Sequence, residues 1–286
     1  MPRVLQPSTE NDRFFDYCLH PYEPRRSSVG KLRAENILWN SFDVAQLDPL
    51  LESAVRSASQ SVGRDMTVWG IKYDRRQLFW EFYFYDPKEY APRVTVSAMR
   101  ETLFPYLAMD AHVPETIPYI MFSFDLFPWT AETKCIDSLN LYLGSAHTQG
   151  TGRSYVVTGD RMELRNIYRA LHPTLEIEKV LFNIRSSVFI DFTMVPLSRV
   201  LLPELFSCRQ ICVTKKPTTD GIYYSGVDVN QLLWFLKYFE YPSSLTAFVE
   251  SHWQGFEHLF FDIGIDYAMD ACGRLVMTKS SFYGTV

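Results

Sequence analysis

Five stretches of the chain alternate polar and apolar residues with the two-residue period of a β-strand, at about 68–85, 119–143, 180–194, 209–227 and 257–284. Strict alternation marks strands whose two faces meet different surroundings. In the first stretch Trp80, Phe82 and Phe84 share one face and Glu81, Tyr83 and Tyr85 the other. In the second, Leu139, Leu141 and Leu143 oppose Ser138, Asn140 and Tyr142; in the third, Phe182 and Ile184 oppose Asn183 and Arg185. In the last, Phe261, Ile263 and Ile265 oppose Asp262, Gly264 and Asp266, and Phe282 opposes Lys279, Ser281 and Tyr283.

Each stretch breaks at turn-forming residues into two runs, so each reads as a hairpin, about ten strands in all. Helical spacing fills the intervals. Phe42, Val44, Leu47, Leu50, Leu51 and Val55 recur at three- and four-residue steps, and similar patterns fit 94–109, 160–171, 197–207, 228–240 and 244–254. Gly144–Ser145 and Gly150–Gly152 frame a loop at a barrel mouth. The expected fold is α+β, a closed ten-stranded antiparallel barrel of five hairpins inside a ring of helices. Ten strands leave a lumen wider than their own side chains fill, and closure removes the exposed edges. Residues 1–40, with Pro2, Pro7, Pro21 and Pro24, read as a loosely structured lead-in to a single domain over 41–286.

Composition sets outer bounds. Seventeen Tyr, 21 Phe and 6 Trp make the chain 15% aromatic, which fits strand-rich packing and also a pocket wall for a flat or cationic species. A net charge of −5 gives no general attraction to nucleic acid or to anionic membranes. No apolar run approaches the ~20 residues of a membrane helix. The five cysteines are scattered and show no zinc spacing, as expected of reduced thiols in the cytoplasm. No dinucleotide-binding or phosphate-loop glycine motif is present.

Strand parity aims a particular set inward. Lys72, Arg185 and Lys279 are basic residues on the polar faces of three hairpins, and Tyr83, Tyr142, Tyr223 and Tyr283 fall on the same faces. A half-buried cation needs a partner. An anionic ligand is one solution; an ion pair with Glu81, Asp191, Asp262 or Asp266 is the other. Glu81 sits where it either pairs with Lys72 across the hairpin or acts as a base.

The order of repeats over 41–286 resembles the soluble aromatic prenyltransferases of the ABBA type, or PT barrels. The segment MTKSSFYG resembles the last strand of that family, placing Lys279 and Tyr283 in the lumen, and LFWEFYF resembles its first return strand, placing Glu81 there. The resemblance implies transfer of a dimethylallyl or geranyl group from its diphosphate to an electron-rich aromatic acceptor. Lys72, Arg185 and Lys279, with Tyr83, Tyr142, Tyr223 and Tyr283, would then hold the diphosphate, and Glu81 would serve catalysis. No aspartate-rich DDxxD-like motif occurs, so no metal is expected to be obligatory, with Mg²⁺ admissible alongside the diphosphate. A non-catalytic barrel for an aromatic or isoprenoid ligand, and an open sheet acting as an interaction module, remain alternatives at this point.

Overall fold

The computed structural model describes residues 3–63, 65–85, 94–144 and 151–286. The strands run β1 (Thr67–Tyr73), β2 (Leu78–Tyr85), β3 (Ala108–Met109), β4 (Met121–Leu126), β5 (Cys135–Ile136), β6 (Ser138–Leu143), β7 (Thr151–Thr158), β8 (Arg161–Leu171), β9 (Gln210–Lys215), β10 (Asp220–Val227), β11 (Phe261–Met269) and β12 (Leu275–Thr285). Ten of them close into an antiparallel barrel in the order β1-β12-β11-β10-β9-β8-β7-β6-β4-β2, while β3 and β5 form a separate parallel pair. Closure is made by β1, whose Ile71 lies between Trp80 of β2 and Phe282 of β12.

The outward faces carry the core. Trp69, Trp80, Phe82, Phe84, Phe122, Phe124, Tyr224 and Phe261 are fully buried beneath a helical layer. That layer includes α1 (Glu35–Val44), α2 (Pro49–Val62), α3 (Val96–Leu103), α6 (Val229–Tyr238) and α7 (Ser243–Ser251), with short helices α4 (Thr130–Thr133) and α8 (Trp253–Phe256). Local chemistry starts these helices. Asp48 accepts the Leu50 N–H ahead of Pro49, and Asp228 and Gln231 form a capping box. Trp80 meets Phe42 edge-on, 5.0 Å between ring centroids, and donates its indole N–H to Ser41 Oγ at 2.8 Å. Among the described residues no helix is long and apolar enough to cross a membrane.

Four hairpins form where the alternation places them, and the third does not. Residues 177–185 are helix α5, followed by irregular chain with 3-10 turns at 197–199 and 203–205 in place of the expected helix over 197–207. The third strand pair is instead β7 and β8, so the helix expected over 160–171 is an eleven-residue strand. Its Met162, Leu164, Ile167 and Leu171 imitate helical spacing because a bulge at Arg165, skipped in the pairing with β7, stretches one two-residue step to three; Met162, Leu164 and Ile167 also remain 42%, 50% and 41% exposed. A bulged strand whose outer face is largely solvated loses the alternation that would reveal it. Conversely, α5 buries only Val180 and Ile184, and with so short an apolar stripe its sequence passes for alternation.

The first helix starts at Glu35, inside the segment read as lead-in. Residues 3–34 hold isolated bridges at Pro7–Leu32 and Phe15–Pro21 and are tied to the helices by Arg3, which contacts both Asp43 and Glu52. Residues 145–150 of the glycine-flanked loop lie outside the described residues.

Candidate active site in the barrel lumen

Pairing registers set which side chains share the inner face. Lys72 of β1, Glu81, Tyr83 and Tyr85 of β2, Ser123 and Asp125 of β4, and Asn140 and Tyr142 of β6 point into the barrel. So do Asn166 and Tyr168 of β8, Cys212 and Thr214 of β9, Tyr223 of β10, Asp262 and Asp266 of β11, and Lys279, Ser281 and Tyr283 of β12. The tyrosines form a continuous wall. Tyr283 has Tyr83 at 6.0 Å and Tyr223 at 6.3 Å between ring centroids, and Tyr142 lies 6.0 Å from both Tyr83 and Tyr168. Burial pushes the Tyr83, Tyr142, Tyr223 and Tyr283 hydroxyls above their ordinary range, so they stay protonated and able to donate. Asn140, Asn166, Tyr168, Asp125 and Lys279 point inward yet keep partial exposure, so the lumen is not filled by its own side chains.

The lysines and the carboxylates paired with them form two clusters. In the first, Lys72 pairs with Glu81 and, at 2.7 Å, with Asp125. Glu81 is saturated: Oε1 accepts from Ser123, from Asn140 at 3.1 Å and from Tyr142 at 3.4 Å, and Oε2 accepts from Tyr83. Burial alone would raise its carboxyl, but the Lys72 ammonium and these donors hold it at about 2. Lys72 is raised in turn, since Asp125 and Glu81 overcome the burial that would lower it. Asp125 is raised by burial and by the Glu81 charge, against the pull of Lys72.

In the second cluster Asp266 holds two ammonium groups, Lys216 at 2.6 Å and Lys279 at 2.9 Å. Lys216 also donates to the Tyr223 hydroxyl at 3.1 Å. Burial lowers Lys216 to about 8 despite the Asp266 carboxylate, helped by repulsion from Lys279 and Lys72. Asp266 is held at about 2 by the two lysines against its own burial. Gly221 passes beside this cluster; a Cβ there would stand 2.9 Å from Asp266 Oδ1 and 3.2 Å from Lys216 Cε.

Of the expected set, Lys72, Glu81, Lys279, Tyr83, Tyr142, Tyr223 and Tyr283 come together in the lumen. Arg185 does not. It sits exposed at the C-terminal end of α5, outside the barrel, because the hairpin that was to aim it inward is a helix. The third cation is Lys216, which reads in the sequence as part of the KKPTTDG turn. Parity from Cys212 and Thr214 points it inward, so extending the β9 alternation by one step would have found it. Asp125 and Ser123 were equally legible by parity from β4. Asp266 lies in the lumen as the counter-ion of two lysines.

These features define the class: a closed ten-stranded antiparallel barrel, helix-coated, with a lumen of tyrosines, lysines and carboxylates. No protein-family model and no curated protein matches the sequence. Among solved structures the chain is similar to a 5-dimethylallyltryptophan synthase from Streptomyces coelicolor, with a TM-score of 0.49 and 9% identity over 87% of this chain and 95% of that one. The barrel assignment itself rests on the strand pairing described above.

Proposed function

We propose that the chain is a cytoplasmic enzyme of secondary metabolism that transfers a prenyl group, dimethylallyl or geranyl, from its diphosphate to an electron-rich aromatic small molecule. The observation that supports this reading best is the excess of lysine over carboxylate at Asp266, set against a wall of protonated tyrosines. A prenyl diphosphate carries roughly two to three negative charges near neutral pH. Lys216 and Lys279 would meet its oxygens as point charges, with Tyr223, whose hydroxyl is 3.1 Å from Lys216, donating a hydrogen bond. Preorganised donors of this kind stabilise the charge that develops as the allylic C–O bond breaks and its electron pair leaves with the diphosphate. The allylic carbocation would lie among tyrosine faces, each such contact contributing ~1–2 kcal/mol when desolvated.

The acceptor ring would then form a carbon–carbon bond to the allylic carbon and lose a proton to regain aromaticity. An arenium ion is a very strong acid, so even a carboxylate held at about 2, as Glu81 is, suffices to receive that proton. Glu81 and Asn140, 3.1 Å apart, would also orient an acceptor N–H or O–H. Water exclusion by the closed sheet would limit hydrolysis of the cation.

A second reading is a barrel that binds an aromatic or isoprenoid ligand without reacting it. The full set of partners on Glu81 favours it, since a carboxylate with five contacts is poorly free to act. Incubation with labelled dimethylallyl diphosphate and a panel of indoles, phenols and tyrosine separates the two. Label moving onto an acceptor supports transfer; tight binding with no product over many hours leaves the binding barrel.

A further inference from the structure

The lumen end away from the lysines is closed by the chain before α1. Residues 14–22 form a tight loop: Phe15 bridges Pro21, the Tyr22 N–H donates to Phe14 O at 3.0 Å, and Asp16 Oδ1 accepts the Cys18 and His20 N–H groups at 2.9 and 3.0 Å. Its tip enters the barrel. The Tyr17 ring lies 5.8 Å from that of Tyr283, and Tyr17 and Leu19 pack against the lumen tyrosines. The Tyr17 backbone is gripped from two strands: its N–H donates to Asp262 Oδ2 at 2.9 Å, and its carbonyl accepts from the Tyr85 hydroxyl. The second Asp262 oxygen accepts the Gly226 N–H at 3.2 Å, so this carboxylate anchors the loop to the barrel wall.

Building on the prenyl-transfer reading, we propose that this loop is the floor of the chamber and that the Tyr17 ring restricts the donor to a five-carbon prenyl chain. The depth sets the limit. Lys279 and Tyr283 are four residues apart on β12, about 13 Å along the strand. With the usual strand tilt of 35–45° that leaves about 10 Å along the barrel axis. The diphosphate takes the first part of that depth and the Tyr17 ring closes the last. A dimethylallyl group reaches roughly 4 Å from its first carbon and a geranyl group roughly 9 Å, counting C–C bonds of about 1.5 Å. The shorter fits above Tyr17 and the longer collides with it.

The test measures binding of the non-hydrolysable S-thiolodiphosphates of dimethylallyl and geranyl alcohol by titration calorimetry. The natural chain is expected to favour the five-carbon analogue by about tenfold or more, the usual scale for a misfit in an apolar pocket. Tyr17→Ala is expected to shift the geranyl-to-dimethylallyl affinity ratio toward geranyl by about tenfold or more, and Tyr17→Phe is expected to keep the natural ratio. Tyr17→Leu, which preserves more packing, gives a smaller shift of the same sign and decides the matter should Tyr17→Ala lose its near-ultraviolet circular dichroism. An unshifted ratio in a folded variant overturns the floor while leaving prenyl transfer standing. Failure of the natural chain to bind either analogue overturns the transfer reading, and the donor limit falls with it.

Discussion

The two ionic clusters of the lumen use the same residue types in opposite proportion. Around Lys72 there are two carboxylates for one ammonium; around Asp266 there are two ammoniums for one carboxylate. Burial does not separate them: each has a deeply buried pair, Lys72 with Glu81 and Lys216 with Asp266, and one more exposed member, Asp125 at 30% and Lys279 at 25%. In the cluster with the surplus carboxylate, the single ammonium is committed to Glu81 and Asp125, and Glu81 to neighbouring donors. A cluster with a surplus cation has attraction left over for an anion. On the prenyl-transfer reading the comparison divides labour within one lumen: the Lys72 cluster would hold strands β1, β2 and β4 in register and present Glu81 to the acceptor, and the Asp266 cluster would receive the diphosphate.

The sharpest way to break this division is Glu81→Ala. It removes one of the two carboxylates that hold a buried lysine and strands the donors of Ser123, Tyr83 and Asn140. Losing one member of a buried ion pair costs about 3–5 kcal/mol. The expected outcome is a stability loss of that size in urea unfolding, together with loss of any transfer activity. A loss under about 1 kcal/mol, the scale of a solvent-exposed pair, removes the structural role.

Next in size is the effect of Lys216→Ala and Lys279→Ala on anion affinity. Hydrogen bonds to charged groups contribute about 1.5–3 kcal/mol each, so either change weakens a prenyl thiodiphosphate by roughly 10- to 100-fold. Lys72→Ala is expected to weaken it less while destabilising the fold more. If Lys72→Ala proves the stronger on affinity, the roles of the two clusters are exchanged.

A smaller effect follows from pH. The Lys216 ammonium is lowered to about 8, so it loses its proton as pH rises through that value and one cation leaves the open cluster. Anion affinity is expected to fall about tenfold across pH 7–9, on the scale of one charged hydrogen bond, and Lys216→Arg is expected to flatten the profile. For stability the sign is opposite. The folded chain binds fewer protons at Lys216 than the unfolded chain between about 8 and the usual lysine range, so this group's contribution improves as pH rises there. Glu81 and Asp266, both held at about 2, contribute stability that is full above the ordinary carboxylate range and is lost as pH falls toward 2. Asp262, pushed up to about 7 by burial and by Asp16, behaves in reverse. Its contribution is full below the ordinary aspartate range and is lost as pH rises through 7.

Most of the barrel was legible because its outer face is buried and its inner face is polar, which writes a period of two into β1, β2, β4, β6 and β9 to β12. The same parity aimed Lys72, Glu81, Lys279 and the four tyrosines correctly. Legibility failed where that contrast vanished. On β8 the outer Leu164 and Ile167 meet solvent, so nothing separates them from the residues of an exposed helix. The Tyr17 loop left no periodic signal at all, being held by backbone hydrogen bonds and by a distant carboxylate, Asp262. Ion pairing was legible only as a choice between alternatives, since parity gives the face but not which lysine meets which carboxylate.

Arg185 supplies the smallest expected effect and tests the comparison from outside it. The guanidinium lies at the exposed end of α5, remote in the fold from both lumen clusters. Its α5 neighbours Val180 and Ile184 bury toward the barrel and Arg185 does not. A basic residue in the last turn is favoured by the helix dipole by about 0.3–1 kcal/mol at low ionic strength, and less when salt screens it. Arg185→Ala is therefore expected to change unfolding free energy by no more than about 0.5 kcal/mol at moderate salt and to leave thiodiphosphate affinity unchanged. Lys216→Ala, read in the same titration, supplies the contrast. A tenfold affinity loss in Arg185→Ala would mean that the ligand reaches beyond the barrel to α5, and the confinement of anion binding to the Asp266 cluster would have to be abandoned.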